Sequence, residues 1–394
     1  MERIYFNNCV TSKPAPEVVD EMLPYLRENF YFPGNFIKKG SEIAEKIESW
    51  KAKIASTIGA DAKEIHFTSG GTAANNIAIK GFLSANFEKG NHIICSSIDY
   101  PDILTNAFFF EQSGFEVTYL PADRDGYIDL NALESAIKPE TVLFMTTLVN
   151  HTIGTIQKMK EINEILKKSD HKIGVMIDAG QGYGKMPINV DELQADLMTF
   201  SAHKIHGPQG VGALYQRKGI RLAPVLHGIN RIDQHNTGGI SIALCAGFAK
   251  AVDMAFKDLD ANIEHMNKLA KHLTDRILNE IPDCELNGPK VGERICHNVN
   301  ISIDYIEGEA IMVMLDMLDI MVATGSACAS QGLKANYVLT NTGRTHVQSH
   351  GSMKFTTSRY NTIEEVDYTV DKLKDIVEKL RSRSPLYDAA KKNS

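Results

Sequence analysis

The chain has 394 residues, a length that is sufficient for two domains with a large core. Its net charge of −7 argues against a broad nucleic-acid-binding surface, and no apolar run reaches the length of a membrane span. The first residues lack a signal-peptide pattern and the six cysteines are scattered without a CxxC pair, so we expect a cytoplasmic protein without a disulfide framework or zinc cluster.

Apolar runs alternate with helix-period segments through the first half of the chain. The runs that predict strands are 92–98, 115–120, 141–148, 172–179 and 196–202. The segments that predict helices are 102–114, 129–137 and 159–169. This alternation is typical of βαβ units and predicts a mainly parallel sheet. The run at 210–217 follows a short turn and predicts an antiparallel hairpin within that sheet.

The second half of the chain has a different pattern. A long helical pattern over roughly 241–280 leads away from the sheet, and a final helix begins at a capping box formed by Thr362 and Glu365. The elements predicted between them are a strand at 298–303, a helix at 308–318 and a strand at 351–357. The fold class predicted is therefore α/β, with a large α/β domain followed by a smaller α+β domain.

The domain boundaries follow from this change of pattern. We expect the large domain to comprise residues 15–255, and the small domain to comprise residues 1–14 together with 256–394.

A small polar turn follows an early predicted strand. In "EIHFTSGGTAANNIAIKG" (64–81) the strand ends at Phe67, and the segment from Thr68 to Thr72 leads into a helix. Backbone N–H groups at a helix N-terminus, together with hydroxyl side chains, can bind a phosphate. A plain turn with a threonine cap has the same pattern, so this segment alone leaves both interpretations open. The glycines of "GPQGVG" (207–212) match neither a P-loop nor a dinucleotide-binding motif.

Two other strand ends carry charged side chains. Asp178 closes the apolar run in "VMIDAGQGYGK" (175–185), where a carboxylate needs a partner, either structural or functional. Lys204 follows the strand in "TFSAHKIHGPQGVGALY" (199–215), where it either reaches solvent or is held inward for chemistry. Ligands of open α/β sheets bind at the carboxyl ends of strands. A pyridoxal phosphate (PLP) site requires three contributions from the protein. These are a turn that binds the phosphate, an aspartate that faces the ring nitrogen and a lysine that forms a Schiff base.

The sequence resembles the cysteine desulfurases, which are class-V members of the fold-type-I PLP enzymes, from residue 4 to residue 387. The segments that carry the resemblance are "FTSGGTAANNIAIKG", "NHTIGTIQ", "DAGQGYGK", "SAHKIHGPQGVGALY" and "GSACAS". The resemblance implies a mainly parallel seven-stranded sheet in the large domain and a homodimer with sites near the interface. It also implies a sulfurtransferase that passes sulfur to an acceptor protein, as in iron–sulfur cluster assembly.

The resemblance also implies roles for individual residues. Lys204 would carry the cofactor and Asp178 would face its ring nitrogen. Thr72, Ser201 and His203 would contact the phosphate, and Gln181 would lie near the phenolic oxygen. The full set of cofactor-binding residues expected is Gly71, Thr72, Tyr100, His151, Asp178, Gln181, Ser201, His203 and Lys204.

Cys328 is the predicted sulfur-carrying nucleophile. It lies among small residues in "GSACAS" (325–330), a composition that favours an exposed loop. A free cysteine is more often a buried apolar residue, but these neighbours offer little apolar cover. The resemblance places the persulfide-forming cysteine in this motif. The other five cysteines are expected to be packing residues, with Cys9 kept as a lesser possibility.

Several positions depart from the family pattern. Tyr100 stands where the family has a histidine over the ring, and it is expected to act as a poorer acid–base group. Lys354 stands in place of the arginine that binds the substrate carboxylate, and Arg359 lies nearby as a second candidate. The other departures are His151 for asparagine, Gly239 for threonine (with Thr237 two residues away) and Ala73 for glutamate.

The function predicted is removal of sulfur from L-cysteine as a persulfide on Cys328, with release of L-alanine. The catalytic residues expected are Lys204, Cys328 and Tyr100, and His203 and His206 lack a third ligand that would make them a metal site. A selenocysteine lyase or another PLP β-lyase on the same scaffold is the first alternative. A class-V transaminase and a degenerate sulfur-transfer scaffold are the others.

Overall fold

The computed structural model describes residues 3–34, 37–228, 235, 239–325 and 335–388. The strands in these ranges are β1 Ile4–Tyr5, β2 Ile65–Thr68, β3 His92–Ser96, β4 Glu116–Leu120, β5 Thr141–Thr147, β6 Gly174–Asp178, β7 Leu197–Ser201, β8 Gly212–Gln216, β9 Cys284–Leu286, β10 Asn298–Ile303, β11 Ile320–Met321, β12 Ala323–Thr324 and β13 Ser352–Thr356. The α-helices are α1 Pro16–Arg27, α2 Lys38–Ser56, α3 Gly71–Asn86, α4 Pro101–Gln112, α5 Leu130–Ala136, α6 Met159–Leu166, α7 Ile242–Lys257, α8 Leu259–Glu280, α9 Gly308–Asp316, α10 Tyr337–Asn341, α11 His346–His350 and α12 Ile363–Arg381.

A seven-stranded mixed sheet forms the centre of the larger core, in the order β2-β8-β7-β6-β5-β3-β4. The pairs from β7 to β4 are parallel, and β8 runs antiparallel to both of its neighbours. The hairpin predicted at 196–217 is therefore confirmed. Strands β5, β6 and β7 are buried along their whole length, as expected for parallel strands that are covered on both faces.

A second core surrounds two smaller sheets, β12-β13-β10-β9 and β1-β11. The N-terminal strand β1 pairs in parallel with β11, so Ile4 and Phe6 pack in this second core. Thr362 and Glu365 form the predicted capping box at the start of α12. The division of the chain into domains at residues 15 and 255 remains a prediction.

The single long helical pattern predicted over 241–280 is wrong in one respect. Two helices, α7 and α8, occupy this stretch, and they are separated at Asp258, whose φ of −124° and ψ of 37° are not helical. Helix α7 packs on α1 and α2 beside the large sheet, whereas α8 packs on α12 in the second core. The chain has to change direction between two cores, and tertiary packing overrides the continuous helical periodicity.

The topology brings four strand ends to one edge of the large sheet. Because β2, β5, β6 and β7 run in the same direction, the residues that follow each strand meet at their carboxyl ends. Among the described helices, none combines the length and apolar character needed to cross a membrane.

Candidate active site

Lys204 is held inside the protein. It ends a short 3₁₀ turn, Ala202–Lys204, directly after β7, and only 7% of its surface is exposed. The turn is fixed from outside by Ser12, whose amide N and Oγ both donate to the carbonyl of His203, at 2.7 Å and 2.8 Å. Lys204 Nζ lies 4.9 Å from the centre of the Tyr100 ring. The lysine therefore faces the carboxyl edge of the sheet and not the solvent.

Asp178 lies at the end of the neighbouring strand β6 and is also buried. Its carboxylate accepts hydrogen bonds from the amide of Gly180 at 2.8 Å and from Asn75 Nδ2 at 2.9 Å. Asn75 is held in turn by Thr199 Oγ1, which donates to Asn75 Oδ1 at 2.6 Å. A Cβ at Gly180 would lie 3.1 Å from Asp178 Oδ1 and 3.6 Å from Lys204 Nζ, so the two predicted functional groups converge on one place.

The polar turn after β2 borders an open cavity of about 680 Å³. Helix α3 begins at Gly71, and its first turn, with Thr72, lines this cavity together with His203 and Gln209. The turn passes so close to β7 that a Cβ at Gly71 would overlap Ser201 Oγ. The backbone of the α3 N-terminus, Thr72 and His203 therefore border one concavity, with Ser201 Oγ against Gly71; we call this concavity the cup. The cup is the arrangement that a phosphate group requires.

His151, Gln181 and Tyr100 lie around the same edge. The rings of Tyr100 and His151 are 5.0 Å apart and nearly perpendicular. Gln181 Nε2 donates to the carbonyl of Cys9 at 2.9 Å, which leaves Gln181 Oε1 buried without a partner. The Nδ1 atoms of His151 and His203 are likewise buried without a partner.

These features fit bound PLP. Buried polar atoms are normally hydrogen-bonded, so the unpaired atoms of His151, Gln181 and His203 indicate room for a polar ligand. The glycines at positions 71 and 180 leave the space that a side chain would fill. Asp178 and Lys204, both buried, lie at the edge of this space. These are the donors, the counter-charge and the amine that the cofactor needs.

Burial also sets the protonation of the histidines. The pKa of His203 is lowered to about 4, first by burial and then by the nearby Lys204 and Lys185. The pKa of His151 lies well below its usual range, mainly because of burial and then because of Lys354 and Lys204. Both rings are therefore neutral at pH 7, and in each ring one nitrogen can donate a hydrogen bond and the other can accept one.

The two candidates for binding the substrate carboxylate are placed differently. Lys354 lies on β13 with 7% of its surface exposed, and its Nζ donates to the backbone carbonyl of His151 at 3.3 Å. Arg359 donates instead to the carbonyl of Met254 at 2.9 Å, and its guanidinium lies 5.1 Å from the centre of the Tyr360 ring. Lys354 is thus beside His151. Arg359 lines a small cavity together with Lys204, and its Nη2 is buried without a partner, so both candidates lie close to predicted cofactor residues.

Cys328 lies outside the described residues. Residues on either side of it meet close to the site: Asn336 Nδ2 donates to the carbonyl of Gly325 at 2.7 Å. Tyr337 Oη donates to the carbonyl of Asp99 at 2.6 Å and lies 3.5 Å from His151 Nε2.

The described cysteines fit the predicted packing role. Cys9, Cys95, Cys245 and Cys296 are buried, and Cys284 is partly buried. Burial raises the pKa of Cys284 and of Cys296 to about 12, so both remain thiols at neutral pH. A thiol that does not ionise is a poor nucleophile.

Three residues of the site were missed by the sequence analysis. Asn75 and Asp102 share the hydrogen-bond network of Asp178. Asp99 is fully buried, accepts from the amides of Ser96 and Thr147, and holds the loop that carries Tyr100. Asn75 belongs to the quoted "GGTAANN" motif, which is the only signal that could have identified it. The positions of the two aspartates in the sequence gave no indication that they face the sheet edge.

Comparison with known proteins agrees with this geometry. The sequence profile of the family described as "Aminotransferase class-V" matches residues 4–369. The chain is 41% identical to a protein named "Cysteine desulfurase IscS" from Dictyoglomus turgidum, over 97% of this chain and 96% of that protein. It is 40% identical to a protein of the same name from Methanosarcina thermophila, over 97% and 94% of the two chains.

Solved structures show the same fold. A structure entitled "NIFS-LIKE PROTEIN" superimposes with a TM-score of 0.90 at 29% identity, over 96% of this chain and 100% of the other. A NifS-like protein from Rickettsia africae gives a TM-score of 0.85 at 25% identity, over 96% and 100%. The predicted fold-type-I α/β class is therefore confirmed.

Proposed function

The chain belongs to the class-V aminotransferase family, and within it we propose that the protein is a PLP-dependent cysteine desulfurase. The observation that carries this proposal is the convergence of Lys204, Asp178 and the cup on one sheet edge. The full-length similarity to proteins named cysteine desulfurase supports it. L-cysteine is the substrate, L-alanine is one product, and the sulfur leaves on a protein cysteine.

When bound, PLP supplies an electron-withdrawing ring that stabilises negative charge at the substrate Cα. Thr72, Ser201 and His203 would hold its phosphate, and Gln181 and His151 would contact its phenolic oxygen. The carboxylate of Asp178 would keep a proton on the ring nitrogen, and the two hydrogen bonds that Asp178 accepts fix its orientation.

Lys204 would carry the cofactor and would move a proton at the substrate Cα. Its burial and the fixed turn beneath it keep its amine near the reacting carbon. The ring of Tyr100, 4.9 Å from Nζ, forms one wall of this space and excludes water. Lys354 binds the substrate carboxylate as a point charge, supported by its contact with the His151 carbonyl.

Cys328 takes the sulfur. Its thiolate attacks the substrate sulfur, and a sulfur–sulfur bond forms as the carbon–sulfur bond of the substrate breaks. The electron pair of the broken bond stays with the substrate carbon, which gains a proton and leaves as part of alanine. The resulting persulfide passes to a sulfur-acceptor protein, in the cytoplasm, and the enzyme acts as a homodimer.

The test uses the purified protein reconstituted with PLP and supplied with L-cysteine. We expect equal amounts of alanine and, with a thiol reductant, sulfide. Lys204→Ala should abolish turnover and the covalent attachment of the cofactor. Borohydride reduction followed by peptide mapping should place the cofactor on Lys204 in the parent protein.

Cys328→Ser separates cofactor chemistry from sulfur transfer. Its visible spectrum should match that of the parent, while sulfide release should collapse, because the two steps use different groups. Cys284→Ser is the matched control and should keep the parent rate, since that thiol is partly buried in the second core. If Cys328→Ser releases sulfide at the parent rate, the desulfurase proposal fails and the protein is a β-lyase. If the protein instead exchanges amino groups with keto acids, it is a transaminase.

A further inference from the structure

A small cavity beside Lys204, which we call the inner cavity, has no part in the function proposed above. Its volume is about 20 Å³, which is room for one water molecule or one monatomic ion and too little for an amino acid or a phosphate group. It shares no lining residue with the cup. Its walls come from both cores, because Lys185 follows β6 of the large sheet whereas Thr357 and Arg359 follow β13.

Three hydrogen-bond donors that border the inner cavity have few acceptors. Lys185 is 6% exposed, and the hydrogen bond of its Nζ to the carbonyl of Gln181 is long, at 3.4 Å. Thr357 is fully buried, and its Oγ1 has no partner within the described ranges. Arg359 Nη1 donates to the carbonyl of Met254 at 2.9 Å, but its Nη2 is buried and has no partner in the described part of the chain. Buried polar atoms are normally hydrogen-bonded, so the three donors together indicate a bound acceptor.

The inner cavity is also basic. Lys185, Lys204 and Arg359 line it, and none of the described residues in its wall is acidic. His206 lines it as a neutral ring, since burial lowers the pKa of His206 to about 4. The pKa of Lys185 is lowered to about 8, first by burial and then by the charge of Lys204. Charged side chains are rarely buried without an opposite charge, so this cluster calls for an anion.

A monatomic anion fits these walls better than a water molecule does. Lysine and arginine side chains carry donors and no acceptor. A water molecule could accept from them, but it would bring two protons that need acceptors of their own, and it would leave the positive charge uncompensated. A halide ion accepts from all three donors and supplies the negative charge.

We propose that the inner cavity, between Lys185, Thr357 and Arg359, is a binding site for a small monovalent inorganic anion of the chloride class. The anion links the segment after β6, in the large-sheet core, to the segment after β13, in the second core. The inference goes beyond the proposed function and does not rest on it, because Lys185 and Arg359 are basic whether or not Lys204 carries the cofactor. It gives Arg359 a role other than binding the substrate carboxylate.

The first test is crystallographic and uses the protein reconstituted with PLP. Crystals are soaked in bromide, which replaces chloride at halide sites and gives an anomalous signal. We expect an anomalous peak within hydrogen-bonding distance of Lys185 Nζ, Thr357 Oγ1 and Arg359 Nη2. Density for a water molecule at this place, or bromide peaks at the protein surface alone, would overturn the proposal.

The second test measures the stability of the same protein in solution. Urea unfolding at neutral pH is compared in potassium chloride and in potassium gluconate of equal ionic strength, because gluconate is too large for the inner cavity. We expect the unfolding equilibrium constant to be about tenfold lower in about 100 mM chloride, which corresponds to a dissociation constant of about 10 mM. Equal stability in the two salts would contradict the proposal.

Three variants assign the chloride effect to the inner cavity. Lys185→Met should lose the effect, and in gluconate it should be more stable than the parent, because a buried charge without a counter-charge has been removed. Thr357→Val removes one donor with little change of shape and should weaken the effect. Thr369→Val is the matched control, since it removes another fully buried threonine hydroxyl without a partner among the described residues, on α12, and it should respond to chloride as the parent does. If Lys185→Met keeps the parent's response to chloride, the anion binds elsewhere and the proposal fails.

Discussion

Lys354 is the proposed binding residue for the substrate carboxylate. It stands where the resemblance implies an arginine, and the two side chains bind a carboxylate differently. Arginine grips a carboxylate through two parallel N–H bonds, whereas lysine offers a compact charge on a flexible stem. Here the ammonium is buried and one of its three protons is already directed at the His151 carbonyl. Fewer donors therefore remain for a substrate carboxylate than an arginine would provide.

We predict that Lys354→Arg raises kcat/KM for L-cysteine. Restoring one charge-assisted hydrogen bond is worth about 1.5–3 kcal/mol, or roughly 10–150-fold if nothing compensates. Tyr100→His in the same protein should add to the effect through better proton transfer. Both variants are assayed on L-cysteine, L-selenocysteine and L-cystine. An unchanged or lower value for Lys354→Arg would mean that the carboxylate is held by another group.

Lys185 is a second buried lysine close to Lys204, with 6% of its surface exposed. Its Nζ makes one long hydrogen bond, 3.4 Å to the carbonyl of Gln181. Burial, and then the charge of Lys204, lowers the pKa of Lys185 to about 8. An unfolded lysine titrates near 10.4, so the unfolded chain binds more protons at this position between about pH 8 and about pH 10.4. This group therefore makes stability rise with pH in that window.

We predict that Lys185→Met stabilises the protein at neutral pH. The gain in the free energy of unfolding should be about 3 kcal/mol near pH 7 and should vanish above about pH 10.4, where the lysine is neutral in both states. Urea unfolding at the two pH values measures it. Lys63→Met, at an exposed lysine, is the control. An equal gain at both pH values would assign the effect to packing and not to charge.

At the scale of elements, the cup depends on how closely the start of α3 approaches β7. Gly71 lies against Ser201 with no room for a Cβ, and Gly212 on β8 packs against the backbone of Gly70 and Gly71. The helix N-terminus, and with it Thr72, is thereby fixed relative to Lys204, which follows β7.

We predict that Gly71→Ala pushes α3 away from β7, destabilises the protein by about 1–3 kcal/mol and weakens PLP binding. Adding Ser201→Ala removes the overlapping oxygen and should restore most of the stability. PLP binding should recover only partly, since a phosphate contact is lost with the hydroxyl. Thermal unfolding and PLP titration of both single variants and the double variant measure these effects. A double variant as unstable as Gly71→Ala would show that the clash is not with Ser201.

At the scale of the whole molecule, one part of the surface is a candidate interface for the proposed homodimer. Three large apolar side chains, Leu26, Phe30 and Ile37, are more than half exposed within one short stretch. Exposed apolar patches of this kind mark interaction surfaces. In the same stretch, Phe32 lies 3.5 Å from the place that a Cβ at Gly239 would occupy, and Gly239 is one of the positions that depart from the family pattern.

We predict a homodimer that sediments at twice the subunit mass of 43.6 kDa. Phe30→Glu should shift it towards the monomer and weaken PLP binding, because a charge cannot be buried in an apolar interface without a partner. Phe87→Glu replaces another exposed phenylalanine, at the far end of α3, and serves as the control. A parent protein that sediments as a monomer would remove the dimer from the proposed function.

The sequence by itself determined the sheet and the principal chemical groups. Continuous apolar runs identified the strands from residue 92 to residue 217, because parallel strands buried on both faces must be apolar, and helix-period segments identified the helices between them. The same reasoning placed Asp178 and Lys204 at strand ends, where a charged side chain is hard to accommodate without a function. The resemblance then supplied roles that no local pattern contains, such as those of Cys328 and Lys354.

Only the tertiary structure decided which groups meet. The helical pattern is interrupted at Asp258 because α7 and α8 pack in two separate cores. Both helices have the same periodicity, so the sequence pattern does not show that the packing partner changes. Asn75, Asp99 and Asp102 belong to the site through contacts with residues that are far away in the chain. Whether a polar side chain caps a helix or joins an active site depends on which distant residue faces it, and that is fixed by the register of the strands and the crossing of the helices.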